Sequence, residues 1–227
     1  MRIVDRPGGR LRRMEKVRVG VLGSGDVGKV LAGGFIKLGH DVKIGSRDPE
    51  KLREWAKKAG EHASTGTFEE TAKFGDVLVL ATLGAGAESA LKMAGPDNFA
   101  GKVVIDATNP LDFSTGAPRL YVGFDDSLGE QVQRWIPKAR VVKAFNTVGN
   151  AHMINPDFPS GPPDMFLCGN DETAKRTVSG LCEELGWPTI DMGSIEGSRL
   201  IEPLALLWIQ LYFRTGNGNH AFSLLRK

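Results

Sequence analysis

Cysteine, histidine and long apolar runs are scarce in this sequence, and each scarcity closes off a class of chemistry. The 227 residues contain two cysteines, Cys168 and Cys182, without the spacing of a CxxC redox or metal motif. One falls in a strand-like run and the other in a helix-like one, where free cysteine commonly serves as a small buried apolar residue. The four histidines, His40, His62, His152 and His220, are scattered and build no metal-ligand cluster, so no metal site is expected. Neither a Ser-His-Asp order for nucleophilic catalysis nor a Tyr-x-x-x-Lys pair for proton transfer occurs. No apolar run approaches the roughly 20 residues that span a bilayer, and the N-terminus lacks the continuous apolar segment of a secretory leader. A chain working in a reducing cytoplasm, away from membranes, is expected.

Net charge is small, +2, but unevenly spread. Residues 1–16 hold Arg2, Arg6, Arg10, Arg12, Arg13 and Lys16 against Asp5 and Glu15, which gives that segment +4 and the remainder −2. Such a short basic arm, containing Pro and Gly, reads as disordered, and no nucleic-acid partner is expected.

What is present is an alternation of strands and helices. Short, β-branched, almost wholly apolar runs occupy Val17–Leu22, Val42–Ile44, Val77–Ala81, Val103–Asp106 and Arg140–Ala144, the pattern of parallel strands covered on both faces. Helix-length segments lie between them at Val27–Leu38, Pro49–Ala59, Phe68–Phe74, Ala87–Met93 and Ser127–Trp135. After a Pro-Gly-rich stretch, Asn155–Asp164, come Met165–Cys168, a helix over Asp171–Leu185 and a short strand at Thr189–Asp191, expected to extend the sheet at one edge. From Ser194 the chain turns helical, with Leu200, Leu204, Leu207 and Leu211 at helical spacing and Pro203 set to kink that helix or begin its second part. Core is the expected place for this apolar face, a dimer interface the alternative. The fold class is therefore α/β, a Rossmann-type doubly wound, mainly parallel sheet with a small C-terminal helical annex. The expected divisions are a basic arm at 1–16, a dinucleotide-binding domain at 17–193 and a helical segment at 194–227 packed on it.

Directly after the first strand stands Gly23-Ser24-Gly25-Asp26-Val27-Gly28, a GxGxxG loop opening into an amphipathic helix. Its position between strand and helix gives it meaning: Gly23 permits the tight turn, Gly25 lets backbone approach a pyrophosphate, and Gly28 lets helix and strand pack closely. The free amides at the helix start face the anion. The second strand ends in Gly45-Ser46-Arg47, with no carboxylate for a ribose 2′-hydroxyl. A hydroxyl and a guanidinium suit a 2′-phosphate instead, so NADP(H) is expected rather than NAD. Lys51, in the first turn of the next helix, is either a further ligand of that phosphate or a solvated lysine.

Three more loops follow strand ends, where ligands of doubly wound sheets lie. They are Ala81-Thr82-Leu83-Gly84-Ala85, Ala107-Thr108-Asn109-Pro110 and Ala144-Phe145-Asn146-Thr147. Their small residues can border a nicotinamide, and Asn109 and Asn146 can donate to a carboxamide or carbonyl. Asn109, Asn146 and His152 are the candidates for a direct part in the chemistry. Few side-chain acids are at hand, which suits hydride transfer between two bound, face-to-face redox groups.

These residues resemble the NADP-dependent reductases of the deazaflavin coenzyme F-420. The segments that carry the resemblance are VGVLGSGDVG, IGSRDPEKL, VLATLGAGAESAL, GKVVIDATNPL, SLGEQVQRWIPKARVVKAFNTVG, LCGNDETAKRTVSGLCEELGW and DMGSIEGSRLIEPL. The resemblance implies that Ser46, Arg47 and Lys51 hold the 2′-phosphate and that the deazaflavin lies over the nicotinamide near Asn109, Pro110 and Asn146. It also implies that the C-terminal helices help enclose the acceptor and form a homodimer. KAFNTV and DMGSIEGSRLIEPL are similar as well to the cytoplasmic reductase domain of the Steap metalloreductases, which leaves a flavin-linked, ferric or quinone reductase open. A nucleotide-sensing regulator without turnover is the alternative from another class, and an imine or keto-acid reductase a third, disfavoured by the short C-terminal segment.

Overall fold

The computed structural model describes residues 15–227. Most of the basic arm thus lies outside the described residues, and at its end Lys16 pairs with Asp41 at 3.1 Å.

An eight-stranded sheet is flanked by helices on both faces. Its strands are β1 (Arg18–Leu22), β2 (Asp41–Gly45), β3 (Ala63–Gly66), β4 (Val77–Leu80), β5 (Val103–Asp106), β8 (Arg140–Lys143), β9 (Met165–Gly169) and β10 (Thr189–Asp191). They run in the order β10-β9-β8-β5-β4-β1-β2-β3. All neighbours are parallel except β8 and β9. A separate two-stranded ribbon pairs β6 (Leu111–Asp112) with β7 (Arg119–Leu120).

Sequence periodicity locates seven of these sheet strands and misses β3, whose residues Ala-Ser-Thr-Gly are mostly half-buried and polar. An edge strand meets the core on one side only, so it carries little of the apolar signal that betrays a central strand. The ribbon is missed for the same reason; its short strands are half-buried or exposed.

The helices are α1 (Asp26–Lys37), α2 (Arg53–Ala59), α3 (Phe68–Phe74), α4 (Ala87–Ala94), α5 (Leu128–Trp135), α6 (Glu172–Glu184) and α7 (Ser198–Thr215). Local chemistry sets several starts. Thr67 caps α3 in a reciprocal box with Glu70, and the Ser127 and Asp171 side chains accept from the third residues of α5 and α6. Pro49–Ala59 divides into a 3-10 turn, Pro49–Leu52, and α2.

Two apolar layers sandwich the sheet. Val19, Val21, Val79, Ile105 and Val142 pack with α1 and α6, while Leu22, Leu78, Leu80 and Val104 pack with α3, α4 and α5. The strand register aligns Gly45, Leu22, Leu80, Asp106 and Lys143 in one row at the carboxyl end of the sheet. Every loop singled out from the sequence begins one residue beyond that row.

α7 departs from expectation in two ways. Pro203 does not break it: the helix runs continuously from Ser198 to Thr215 with Pro203 exposed. The Leu stripe does not face the core either; Leu200, Leu207 and Leu211 are 64%, 59% and 43% exposed. The helix buries Ser198, Ile201, Glu202 and Ala205 instead. A buried carboxylate defeats hydrophobic periodicity, because its ion pair, not its apolarity, brings it inside.

Candidate dinucleotide and redox site

A cavity of about 880 Å³ opens over the carboxyl ends of the strands. Its wall combines Gly23–Val27 after β1, Ser46 and Arg47 after β2, Ala81–Leu83 after β4, Ala107 after β5, and Val148–Asn150 beyond β8. It therefore straddles the point where the chain's connections change direction around β1, the usual ligand crevice of such sheets.

The glycine loop is built as its spacing implies. Gly23 has φ of 133°, and a Cβ there would lie 2.3 Å from the Ala81 carbonyl oxygen. A Cβ on Gly28 would lie 2.1 Å from the Gly23 carbonyl oxygen, so the helix approaches the strand only because both residues lack side chains. Gly25, the N-cap of α1, meets nothing within 4 Å and leaves its side of the loop open. The first-turn amides of α1 are thus free to meet an anion there.

At the β2 end, Ser24 Oγ donates to Ser46 Oγ at 3.4 Å, which ties the two loops together. Arg47 is exposed on the cavity wall and forms no ion pair among the described residues. Lys51 stands apart from the lining and pairs with Asp48 at 3.2 Å. Buried Thr82 Oγ1 lacks a hydrogen-bond partner. An open glycine cradle, an unpaired guanidinium and an unsatisfied hydroxyl on one wall together fit a phosphorylated dinucleotide.

The other candidates form a second layer. Asn146 Nδ2 donates to Asn109 Oδ1 at 3.1 Å and to the Ile201 carbonyl at 3.0 Å, and Asn109 Nδ2 donates to the Asn146 carbonyl at 2.9 Å. Asn146 Oδ1 is left buried without a partner. Pro110 and Ala144 are buried behind the cavity wall rather than on it. Between Ala144 and Asn146, Phe145 is fully buried at φ of 63°, a conformation worth about 1–3 kcal/mol of strain for a bulky residue. His152 is not brought to the wall: its Nε2 meets Asn219 Oδ1 at 3.0 Å and its ring packs on Phe158.

Sequence reasoning missed the most heavily charged feature of the region. Lys143 is fully buried, with Nζ 2.8 Å from Asp106 Oδ2, 2.8 Å from Glu202 Oε1 and 2.9 Å from the Thr108 carbonyl. Burial opposes its charge, but the two carboxylates outweigh burial and hold its pKa above the usual lysine value. Tyr121, missed too, is pushed up by burial first and then by the Glu202 carboxylate. The available signal was a lysine directly following the apolar pair Val141-Val142 and preceding Ala144-Phe145.

The family profile described as NADP oxidoreductase coenzyme F420-dependent matches residues 18–110. The F420-dependent NADP reductase of Methanocaldococcus jannaschii is 35% identical over 208 residues, covering 86% of this chain and 92% of that protein. The chain belongs to the F420-dependent NADP reductase family. Within the F420-dependent NADP reductases it has a solved neighbour from Arthrobacter carrying the same reductase assignment, 40% identical at a TM-score of 0.88 and covering 92% of this chain and 100% of the other. The rat metalloreductase STEAP3 is 32% identical over 85% of this chain, which spans 38% of that longer protein. Among the described residues no helix is long and apolar enough to cross a membrane.

Proposed function

We propose that this chain transfers a hydride between NADP(H) and a planar deazaflavin coenzyme. The observation that carries the reading is the single crevice that unites the open Gly25 cradle with unpaired Arg47 and with small-residue walls after β4, β5 and β8. The name and near full-length match of the M. jannaschii reductase support the choice of acceptor.

In this reading Gly23, Ser24, Gly25, Asp26, Val27 and Gly28 receive the pyrophosphate through backbone amides at the start of α1. Ser46 and Arg47 hold the 2′-phosphate, with Lys51 reaching it on leaving Asp48. Ala81, Thr82 and Leu83 border the ribose and nicotinamide. Asn109, Pro110, Ala144 and Asn146 shape the end where the two rings meet. The nicotinamide supplies the hydride chemistry when bound; the chain's part is to orient the rings and exclude water. No side-chain acid is assigned, and His152 serves the loop through Asn219 rather than the reaction.

The same proposal takes the chain as a cytoplasmic homodimer joined through the exposed stripe of α7, where Leu200, Leu207 and Leu211 are exposed in the single chain. Contiguous apolar surface of this kind usually marks an interface.

The deciding experiment offers coenzyme F-420, FMN, FAD and a quinone in parallel to the purified chain with NADPH, using NADH as control. Rapid NADPH oxidation with the deazaflavin alone is expected. Turnover only with a flavin would move the chain to the metalloreductase-like branch, and binding without turnover would make it a nucleotide sensor.

A further inference from the structure

Asp106, Lys143 and Glu202 are 0%, 0% and 1% exposed. Every oxygen of the two carboxylates is engaged. Asp106 Oδ1 accepts from the Thr108 amide at 3.0 Å and from its hydroxyl at 2.6 Å, and Oδ2 meets Lys143. Glu202 Oε2 accepts from the Leu128 amide at 3.0 Å, while Oε1 accepts from the Gly129 amide at 2.9 Å and from Lys143. Two carboxylates facing one ammonium leave a formal charge of −1, softened by the α5 amides.

Stability alone gives little reason for such a cluster, since apolar replacement of buried ions is often neutral or stabilising. Its position offers a better one. Asp106 and Lys143 are register partners in the last row of the sheet. Asp106 immediately precedes Ala107, a residue of the cavity wall. Glu202 follows Ile201, whose carbonyl receives Asn146, and Thr108, which touches both Asp106 and Lys143, precedes Asn109. The cluster thus underlies the β5 and β8 end of the crevice, opposite the end marked by Ser46 and Arg47.

We infer that this buried anionic cluster biases the adjoining end of the cavity toward the oxidised, cationic form of a bound nicotinamide. The inference rests on the reading that NADP(H) lies in this cavity with its nicotinamide at the β5 and β8 end. Loss of a hydride, two electrons and a proton, leaves the ring with one more positive charge. A fixed negative charge in a poorly screened interior lowers the free energy of that form relative to the reduced one. Asp106, Lys143 and Glu202 act here through their field and are positioning residues, not catalytic ones.

The test is titration of the whole chain with NADP+ and with NADPH, comparing wild type with Glu202→Gln. The substitution removes one negative charge with almost no change of shape. The ratio of the NADP+ to the NADPH dissociation constant should rise roughly tenfold, with NADPH affinity little changed. Asp106→Asn removes the same charge from the neighbouring strand and should move the ratio the same way, so judgement rests on whichever variant keeps the wild-type circular dichroism. Equal weakening of both nucleotides, or an unchanged ratio, would overturn the inference and leave a structural role alone. If wild type binds neither nucleotide, it is the cavity assignment that fails.

Discussion

Beyond the ends of β5 and β8, Asn146 Nδ2 donates to the Asn109 side-chain oxygen at 3.1 Å, and Asn109 Nδ2 returns a bond to the Asn146 main-chain carbonyl at 2.9 Å. Both Asn146 Nδ2 protons are committed, one to Asn109 and one to the Ile201 carbonyl on α7. The orientation of that amide is therefore set by two acceptors. Asn146→Asp keeps the shape but turns a carboxylate oxygen on both. A loss of about 3 kcal/mol in urea denaturation at neutral pH is expected; wild-type stability would show that the pair does not join the sheet to α7.

Arg47→Asp separates the two nicotinamide cofactors. A guanidinium bond to phosphate contributes about 1.5–3 kcal/mol, so NADPH affinity should fall at least about tenfold while NADH affinity stays near its starting value. Fluorescence titration reads both, and equal losses would remove Arg47 from the phosphate site.

Gly28 and Gly33 share α1 but not an environment. A Cβ on Gly28 strikes backbone at 2.1 Å, whereas one on Gly33 meets nothing within 4 Å. Gly28→Ala should cost about 2 kcal/mol or more and abolish nucleotide binding. Gly33→Ala should raise stability by roughly 0.5–1 kcal/mol, through the lower entropy of its unfolded chain. Thermal melts of the two variants check the contrast.

Burial pushes the Cys168 thiol up to about 11, despite its contact with Ser198 Oγ, and raises Cys182 as well. Nucleophilic thiolate is then scarce at neutral pH. Neither cysteine should react with an aromatic disulfide reagent in the folded protein, and both should react on unfolding in guanidinium. Fast labelling of folded protein would contradict their inert assignment.

On α7, Leu207→Glu combined with Leu211→Glu places charges where the proposed homodimer needs apolar surface. Light scattering should then report one chain per particle where wild type reports two, with nucleotide binding kept. A monomeric wild type would instead leave the stripe without a partner copy.

Much of the fold was legible because the central strands are buried on both faces and read as continuous β-branched runs, while GxGxxG between strand and helix needs only local geometry. The lining of the cavity by Gly23–Val27, Ser46, Arg47 and Ala81–Leu83 follows from those same loops. Lys51 was legible as a nearby cation, but its pairing with Asp48 was not. The polar edge strand β3 lacked the apolar pattern that exposes a central strand.

Local sequence thus decided the order of strands and helices, the glycine loop and the absence of a carboxylate at the tip of β2, since each depends on neighbours within a few residues. The exposure of Leu200, Leu207 and Leu211, the Asn109–Asn146 pair and the burial of Lys143 between Asp106 and Glu202 were settled by packing alone. Glu202 lies 59 positions along the chain from Lys143. A buried charge is tolerated only where its partner arrives, and that meeting depends on how α7 folds back across α5 and the ends of β5 and β8.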